Sequence, residues 1–213
     1  MMFLIASLAG LTVAYLLGAT PTGYLAGKWL KGVDIRELGS GSTGATNALR
    51  TLGKGSGAAV LLLDVLKGVA AILFARWFYA WPSVTPPDLQ AWTPWLVCLA
   101  GLMALLGHSR SVWLGFTGGK SVATGLGVLL ALSWPVGVGG LAVFGVVVAA
   151  TRIVSLGSML AAVTAIALVC GLEHPLPYRL MVIAGGLYVL VLHRANVRRL
   201  LAGTEPRLGR SRV

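Results

Sequence analysis

Acidic side chains are the first scarcity. Among 213 residues there are only six aspartates and glutamates, and charged residues of both signs make up 11%. A soluble domain ordinarily carries about a quarter, so this chain has too little polar surface to cover a water-soluble globule. The acids are Asp34, Glu37, Asp64, Asp88, Glu173 and Glu205, and no DxxD spacing occurs among them. That argues against a carboxylate cluster holding Mg2+, and so against membrane enzymes that transfer alcohols from nucleotide diphosphates. Cysteine is scarce too. Cys98 and Cys170 both lie in apolar runs and form no CxxC, so they read as small buried hydrophobes.

Several catalytic signatures are missing. There is no GxSxG nucleophile elbow. The HxxxxD pattern of soluble-type glycerolipid acyltransferases is absent as well: five residues after His108, His174 and His193 stand Trp113, Arg179 and Arg198. The string GGKS at 118–121 suggests a nucleotide-binding P-loop, but GxxxxGK[ST] needs glycine at position 114, where Leu114 stands.

What is abundant is apolar. Hydrophobic residues make up 57% of the chain, and they recur in runs along its whole length rather than only in an N-terminal leader. An all-α polytopic membrane protein is expected. The spans read as 2–26 (kinked at Pro21), 57–81, 89–107, 122–150, 156–172 and 178–192. The run 122–150 has 29 residues and no charge. As one helix it would be about 43 Å long, well beyond a hydrocarbon core of roughly 30 Å. Pro135 and Gly137 near its middle suggest two short spans.

Basic residues decide the count. Lysine and arginine number 17, for a formal net charge of +11. In a membrane protein such an excess reports topology and contact with anionic headgroups rather than nucleic acid. With 122–150 split, seven spans place loop 28–54, loop 107–121, Arg152 and the tail on one side. The tail carries Arg194, Arg198, Arg199, Arg207, Arg210 and Arg212. That side holds 14 of the 17 basic residues and is read as the cytoplasm, with the N-terminus outside and the C-terminus inside.

Three polar segments then share the cytoplasmic face. Residues 107–124 read GHSRSVWLGFTGGKSVAT. Glycines let backbone N–H groups approach an anion, and a following helix start adds its positive end. Lys120 adds a point charge. Residues 39–50 read GSGSTGATNALR, a second anion-friendly turn with hydroxyls and Arg50. The tail opens HRANVRRLLAGTEP, with His193 and Asn196 on one helical face. Asp64 and Lys67 lie inside a span at i and i+3. Charges there need a partner, either each other or the site.

Taken together, these segments resemble the three motifs of the bacterial acyl-phosphate:glycerol-3-phosphate acyltransferases, in order and along nearly the whole chain. Asp64, Lys67 and Gly68 resemble the continuation of the first motif. Two positions depart from the family's pattern: Ser42 stands for the usual asparagine, and Ser121 for the usual glycine. Ser121 is expected to need an ordinary backbone conformation where glycine would be freer.

The resemblance implies a single transmembrane acyltransferase domain over residues 1–213, in the cell inner (plasma) membrane, with its active site on the cytoplasmic face. The acyl donor would be acyl phosphate, the acceptor the 1-hydroxyl of sn-glycerol 3-phosphate, and the products 1-acyl-glycerol 3-phosphate and phosphate. An acyl-phosphate-producing enzyme would act upstream. No cofactor and no metal are implied, because a mixed anhydride is already activated. The implied catalytic residues are Ser40, Arg50, Lys120, His193 and Asn196. Of these, Lys120 and Arg50 suit charge stabilisation, Ser40 and Asn196 substrate orientation, and His193 acceptance of the hydroxyl proton, which a substrate phosphate could take instead. Substrate and phosphate binding would fall to Gly39, Gly41, Thr46, Asn47, Lys67, His108, Gly118, Gly119, Ser121, Thr124 and Glu205. The rival reading is a transporter for an anionic metabolite, which would want its binding groups near mid-membrane.

Overall fold

The structure, a computed structural model, describes residues 1–209. Arg210 and Arg212 of the basic tail lie outside the described residues. Ten α-helices account for most of the chain: α1 Met2–Ala19, α2 Thr22–Lys31, α3 Ala45–Leu52, α4 Lys54–Tyr79, α5 Thr93–Ser109, α6 Val122–Leu132, α7 Trp134–Thr151, α8 Val154–Gly171, α9 Leu176–Leu192 and α10 Arg194–Leu201. Short 3-10 turns occur at Ile35–Glu37, Pro87–Trp92 and Val112–Leu114. There is no strand among the described residues, only one isolated bridge between Ser111 and Thr117.

Five helical stretches are long and apolar enough to cross a membrane: Met2–Lys31, Lys54–Tyr79, Pro87–Ser109, Trp134–Thr151 and Val154–Gly171. A sixth joins them if Leu176–Leu192 and Arg194–Leu201, bent by 54°, count as one. Helix α6, at 11 residues, is only about 17 Å long, roughly half a hydrocarbon core.

Prolines set the breaks. Pro21 does more than kink the first span. Thr20 before it is extended (φ −51°, ψ 116°), as the residue before proline prefers, and α2 starts afresh at Thr22. Helix α2 ends at Gly32 in the left-handed region, whose N–H reaches the Gly27 and Lys28 carbonyls. Lys28 and Lys31 sit in its last turn, where the helix dipole favours cations. The run 122–150 divides at Ser133 (φ −150°, ψ 93°), two residues before the proline expected to break it. Pro135 instead occupies the first turn of α7, where its missing N–H costs nothing.

The chain forms two compact units, Met1–Leu132 and one beginning at Ser133. In the first, α4 packs against α1, α3, α5 and α6. Its outer face shows Leu61, Leu62, Leu63 and Leu66, as a lipid-facing surface should. Its inner face buries Val60, Asp64, Lys67, Gly68, Ala71, Ile72 and Ala75. The Tyr79 hydroxyl donates to the Ser7 carbonyl of α1 at 2.8 Å. Contact with α6 depends on bare backbone: a Cβ on Gly68 would overlap the Thr124 carbonyl, and one on Gly127 the Val65 carbonyl. Such close approach is how helices associate where lipid supplies no hydrophobic drive. In the second unit, α8 packs on both α7 and α9.

Gly68→Leu should lower stability by about 1–3 kcal/mol through overpacking. Gly55→Leu should cost far less, because its Cβ meets nothing within 4 Å. Thermal unfolding of the two variants in detergent checks this; equal midpoints would contradict the close α4–α6 contact.

Candidate active site

The first polar loop is built around Asn47. This residue is buried at the start of α3. Its Oδ1 accepts from the Ser40 N–H at 3.0 Å. Its Nδ2 faces the carbonyls of Ile35, Leu38 and Ser42 at 2.9, 3.1 and 2.8 Å. One amide thus ties down the whole turn, and Asn47 is engaged by backbone rather than presented to a ligand. Gly39 and Gly41 take positive φ of 59° and 70°, which lets the chain reverse twice around that amide. Ser42, in place of the family's asparagine, accepts from the Gly44 N–H at 3.3 Å through Oγ. Ser40 and Arg50 are exposed, and Thr46 is half-buried.

The second polar loop closes on itself and on α1. The Ser111 N–H donates to the Thr117 carbonyl, and the Phe116 N–H to the Ser111 carbonyl, at 3.3 and 2.8 Å. The Ser111 hydroxyl donates to the Ala19 carbonyl at 2.6 Å, and the Tyr15 hydroxyl to the Arg110 carbonyl at 2.6 Å. Residues 118–120 then lead into α6. The Gly119 N–H donates to the His108 carbonyl at 3.1 Å. Lys120 is half-buried.

Ser121 departs from expectation. It lies in the left-handed region, at φ 58°, not in an ordinary conformation. Its fully buried hydroxyl donates to the Leu105 carbonyl at 2.7 Å. That bond holds the serine where the family has glycine, and it turns the side chain onto α5. Thr124, one turn on, is also fully buried.

Arg36 joins the two loops, a role that its count among the basic residues did not reveal. Its guanidinium pairs with the Asp34 carboxylate at 2.7 Å and lies 5.2 Å from the Tyr24 ring centroid. From there it donates to the Leu114 carbonyl at 3.3 Å and reaches Thr117 Oγ1 at 3.5 Å. The Arg36 hydrogen bond holds the Asp34 carboxyl below its usual range, against a smaller upward push from burial. The D-x-R spacing was the available signal: an aspartate capping a turn can meet an arginine two residues on.

Asp64 and Lys67 are partners. Lys67 Nζ stands 2.8 Å from Asp64 Oδ1 and donates to the Thr20 carbonyl at 3.0 Å. Thr22 Oγ1 donates to the same carboxylate oxygen at 2.6 Å. His108, buried at the end of α5, brings Nδ1 to 3.6 Å from Asp64 Oδ1. Lys67 and His108, both expected to bind phosphate, therefore belong to a buried cluster behind the glycine loop.

The second unit carries the tail motif. His193 is 2% exposed, and its Nδ1 lies 2.8 Å from the Val189 carbonyl. A carbonyl only accepts, so Nδ1 carries the proton and a neutral ring keeps its basic lone pair on Nε2. Glu205 Oε1 accepts from Ser155 Oγ and Asn196 Nδ2, both at 2.6 Å. Its Oε2 accepts from Arg199 Nε at 2.7 Å. A carboxylate so occupied anchors the tail to α8 and α10. Ser155 was missed, having no motif around it.

Fold and loops together define an integral membrane protein whose polar chemistry is gathered into glycine-rich, basic loops. The chain belongs to the glycerol-3-phosphate acyltransferase family, whose model matches residues 8–203. It is 70% identical to glycerol-3-phosphate acyltransferase 2 of Rhizobium johnstonii, over 99% of both chains. It is 59% identical to the glycerol-3-phosphate acyltransferase of a Nostoc species, over 94% of this chain and 91% of that one. Among solved structures it resembles PlsY (YgiH), an integral membrane glycerol 3-phosphate acyltransferase, in its glycerol 3-phosphate form. That match has a TM-score of 0.84 and 37% identity, covering 95% of this chain and 96% of that one. The lysophosphatidic acid form of the same protein matches with a TM-score of 0.81.

Burial alone would raise the Glu205 carboxyl, but the hydrogen bonds from Ser155, Asn196 and Arg199 outweigh it and hold the group below its ordinary value of 4.5. A depressed carboxyl stabilises the fold fully above that ordinary value. Its contribution is lost as pH falls from there through the folded-state value. Protection of the tail against hydrogen exchange should therefore be flat near neutrality and weaken on acidification below about pH 4.5. Glu205→Gln should be weaker at neutral pH and show a shallower acid slope.

Proposed function

We propose that this chain transfers an acyl group from acyl phosphate to the 1-hydroxyl of sn-glycerol 3-phosphate, the first acylation of phospholipid synthesis. The hydroxyl oxygen attacks the acyl carbon, and the carbonyl-to-phosphate bond breaks. The products are 1-acyl-sn-glycerol 3-phosphate (lysophosphatidic acid) and inorganic phosphate. The observation that carries the reading is the Arg36 bridge. It ties the Ser40 turn to the glycine loop, two basic, N–H-rich turns suited to two phosphorylated reactants.

An acyl phosphate needs no covalent nucleophile. The protein has to hold two anions close together and stabilise charge on the carbonyl and the leaving phosphate. Lys120, Arg50 and the N–H groups of the two loops supply positive potential. Ser40 orients substrate, and Thr46 sits in the first turn of α3. His193 accepts the hydroxyl proton at Nε2. Asn47, Ser121, Asn196 and Glu205 act as positioning residues, since their side chains are held by the protein.

In this reading the whole chain is one acyltransferase domain with seven spans: the α1–α2 pair, α4, α5, the short α6, α7, α8 and α9. The N-terminus is outside, the basic tail and active site face the cytoplasm, and the protein sits in the inner membrane. An enzyme that makes acyl phosphates supplies the donor. The positive-inside balance supports this orientation, and the break at Ser133 supports counting α6 apart from α7.

Purified protein given acyl phosphate and labelled glycerol 3-phosphate should yield labelled lysophosphatidic acid. Label accumulating inside vesicles with no lipid product would favour the transporter instead. Lys120→Ala should lower turnover about 100-fold or more with an unchanged unfolding midpoint; wild-type turnover would remove Lys120 from the mechanism. For topology, a tag after Val213 should be reachable only from the cytoplasmic side and a tag before Met1 only from outside. The reverse pattern would overturn the orientation.

A further inference from the structure

The buried cluster behind the glycine loop contains more than an ion pair. Asp64 is 0% exposed and His108 is 6% exposed. Asp64 Oδ2 and His108 Nδ1 are both buried and without a hydrogen-bond partner among the described residues. The 3.6 Å between His108 Nδ1 and Asp64 Oδ1 is within reach of an ion pair but long for a hydrogen bond. Leaving such groups unpaired costs free energy, so the arrangement gains if the ring moves a few tenths of an ångström toward the carboxylate.

The other side of the ring meets the glycine loop. A Cβ built on Gly119 would overlap His108 Nε2, and one on Gly118 would overlap the His108 carbonyl. The Gly119 N–H already donates to that carbonyl. The imidazole is therefore a spacer between a fixed carboxylate on α4 and the backbone just before Lys120. Asp64 is itself fixed by Thr22 and Lys67. A shift of the ring toward Asp64 opens room at Gly119; a shift away closes it.

We infer that His108, held by Asp64, is the positioning residue that sets the backbone of residues 118–120 for phosphate binding, and that the pair tightens when phosphate occupies the loop. This inference rests on reading that loop as a phosphate-handling element. It assigns His108 and Asp64 no contact with either substrate.

The test uses the full-length enzyme in detergent or nanodiscs. His108→Ala and Asp64→Asn should each raise the KM for at least one of glycerol 3-phosphate and acyl phosphate about tenfold, as supporting residues commonly do, with kcat changed much less. The double variant should be little worse than either single one, because both act through one contact. His108→Gln, which keeps a polar group at the same reach, should recover part of the KM. In 15N-histidine-labelled wild-type protein, the His108 ring resonances, identified by their loss in His108→Gln, should move on titration with glycerol 3-phosphate or inorganic phosphate. That measurement holds even if His108→Ala or Asp64→Asn fails to fold. Wild-type KM values in both single variants, fully multiplicative losses in the double, or His108 resonances indifferent to both phosphates would each overturn the inference. If Lys120→Ala keeps wild-type activity, the phosphate reading of the loop falls first. If Lys120→Ala is inactive while Asp64→Asn and His108→Ala behave as wild type, only the positioning role falls.

Discussion

A carboxylate inside a membrane-spanning helix has to be answered by protein, because lipid offers it neither charge nor hydrogen bonds. Asp64 is answered from three directions. Lys67 comes from one turn further along α4, Thr22 from the start of α2, and His108 from the end of α5. Meeting that demand fixes much else. Thr22 can reach Asp64 because Pro21 ends α1 and lets the chain restart. The Thr20 carbonyl released at the same break becomes the second acceptor for Lys67. The end of α5 that meets this charge through His108 is also the end from which the second polar loop departs.

Two of the other five acids tell a similar story on a smaller scale. Asp34 holds Arg36, and Glu205 holds Arg199. Both pairs lie in polar segments next to groups read as handling substrate. A chain with so large an excess of positive charge uses half of its six carboxylates as clamps. Each clamp fixes one cation in a structural place. In the proposed reaction, positive potential at the loops comes from Lys120, Arg50 and backbone N–H groups at turns and helix starts, and the N–H groups need no flexible side chain to be aimed.

The fold class and the three motifs were legible because they depend on local facts. Hydropathy marks helices long enough to cross lipid, and the runs GSGSTGATNALR and GHSRSVWLGFTGGKSVAT announce turns. Boundaries shifted where hydrogen bonding decides the end of a helix: α2 runs on to Lys31, and the long run divides at Ser133 rather than Pro135. Residue roles were least legible. Asn47, Lys67 and Glu205 carry the chemistry of binding residues, yet each has its polar atoms turned to other parts of the protein. Partners 42 to 95 positions apart, such as Thr22 with Asp64 or Tyr15 with Arg110, leave no trace in local spacing. Ser121 could be named as a departure from pattern, but its left-handed conformation depends on a carbonyl 16 residues away.

That serine bears on how the loop can change over generations. A non-glycine residue in the left-handed region costs about 1–2 kcal/mol, and a buried hydroxyl-to-carbonyl bond returns about 1 kcal/mol. Glycine avoids the cost and forgoes the bond. The two residues reach nearly the same energy by different physics. Alanine, intermediate in size, has the strain without the bond. At this position chemical similarity is a poor guide to exchangeability: glycine and serine both fit, while the residue between them in size is the one the loop resists.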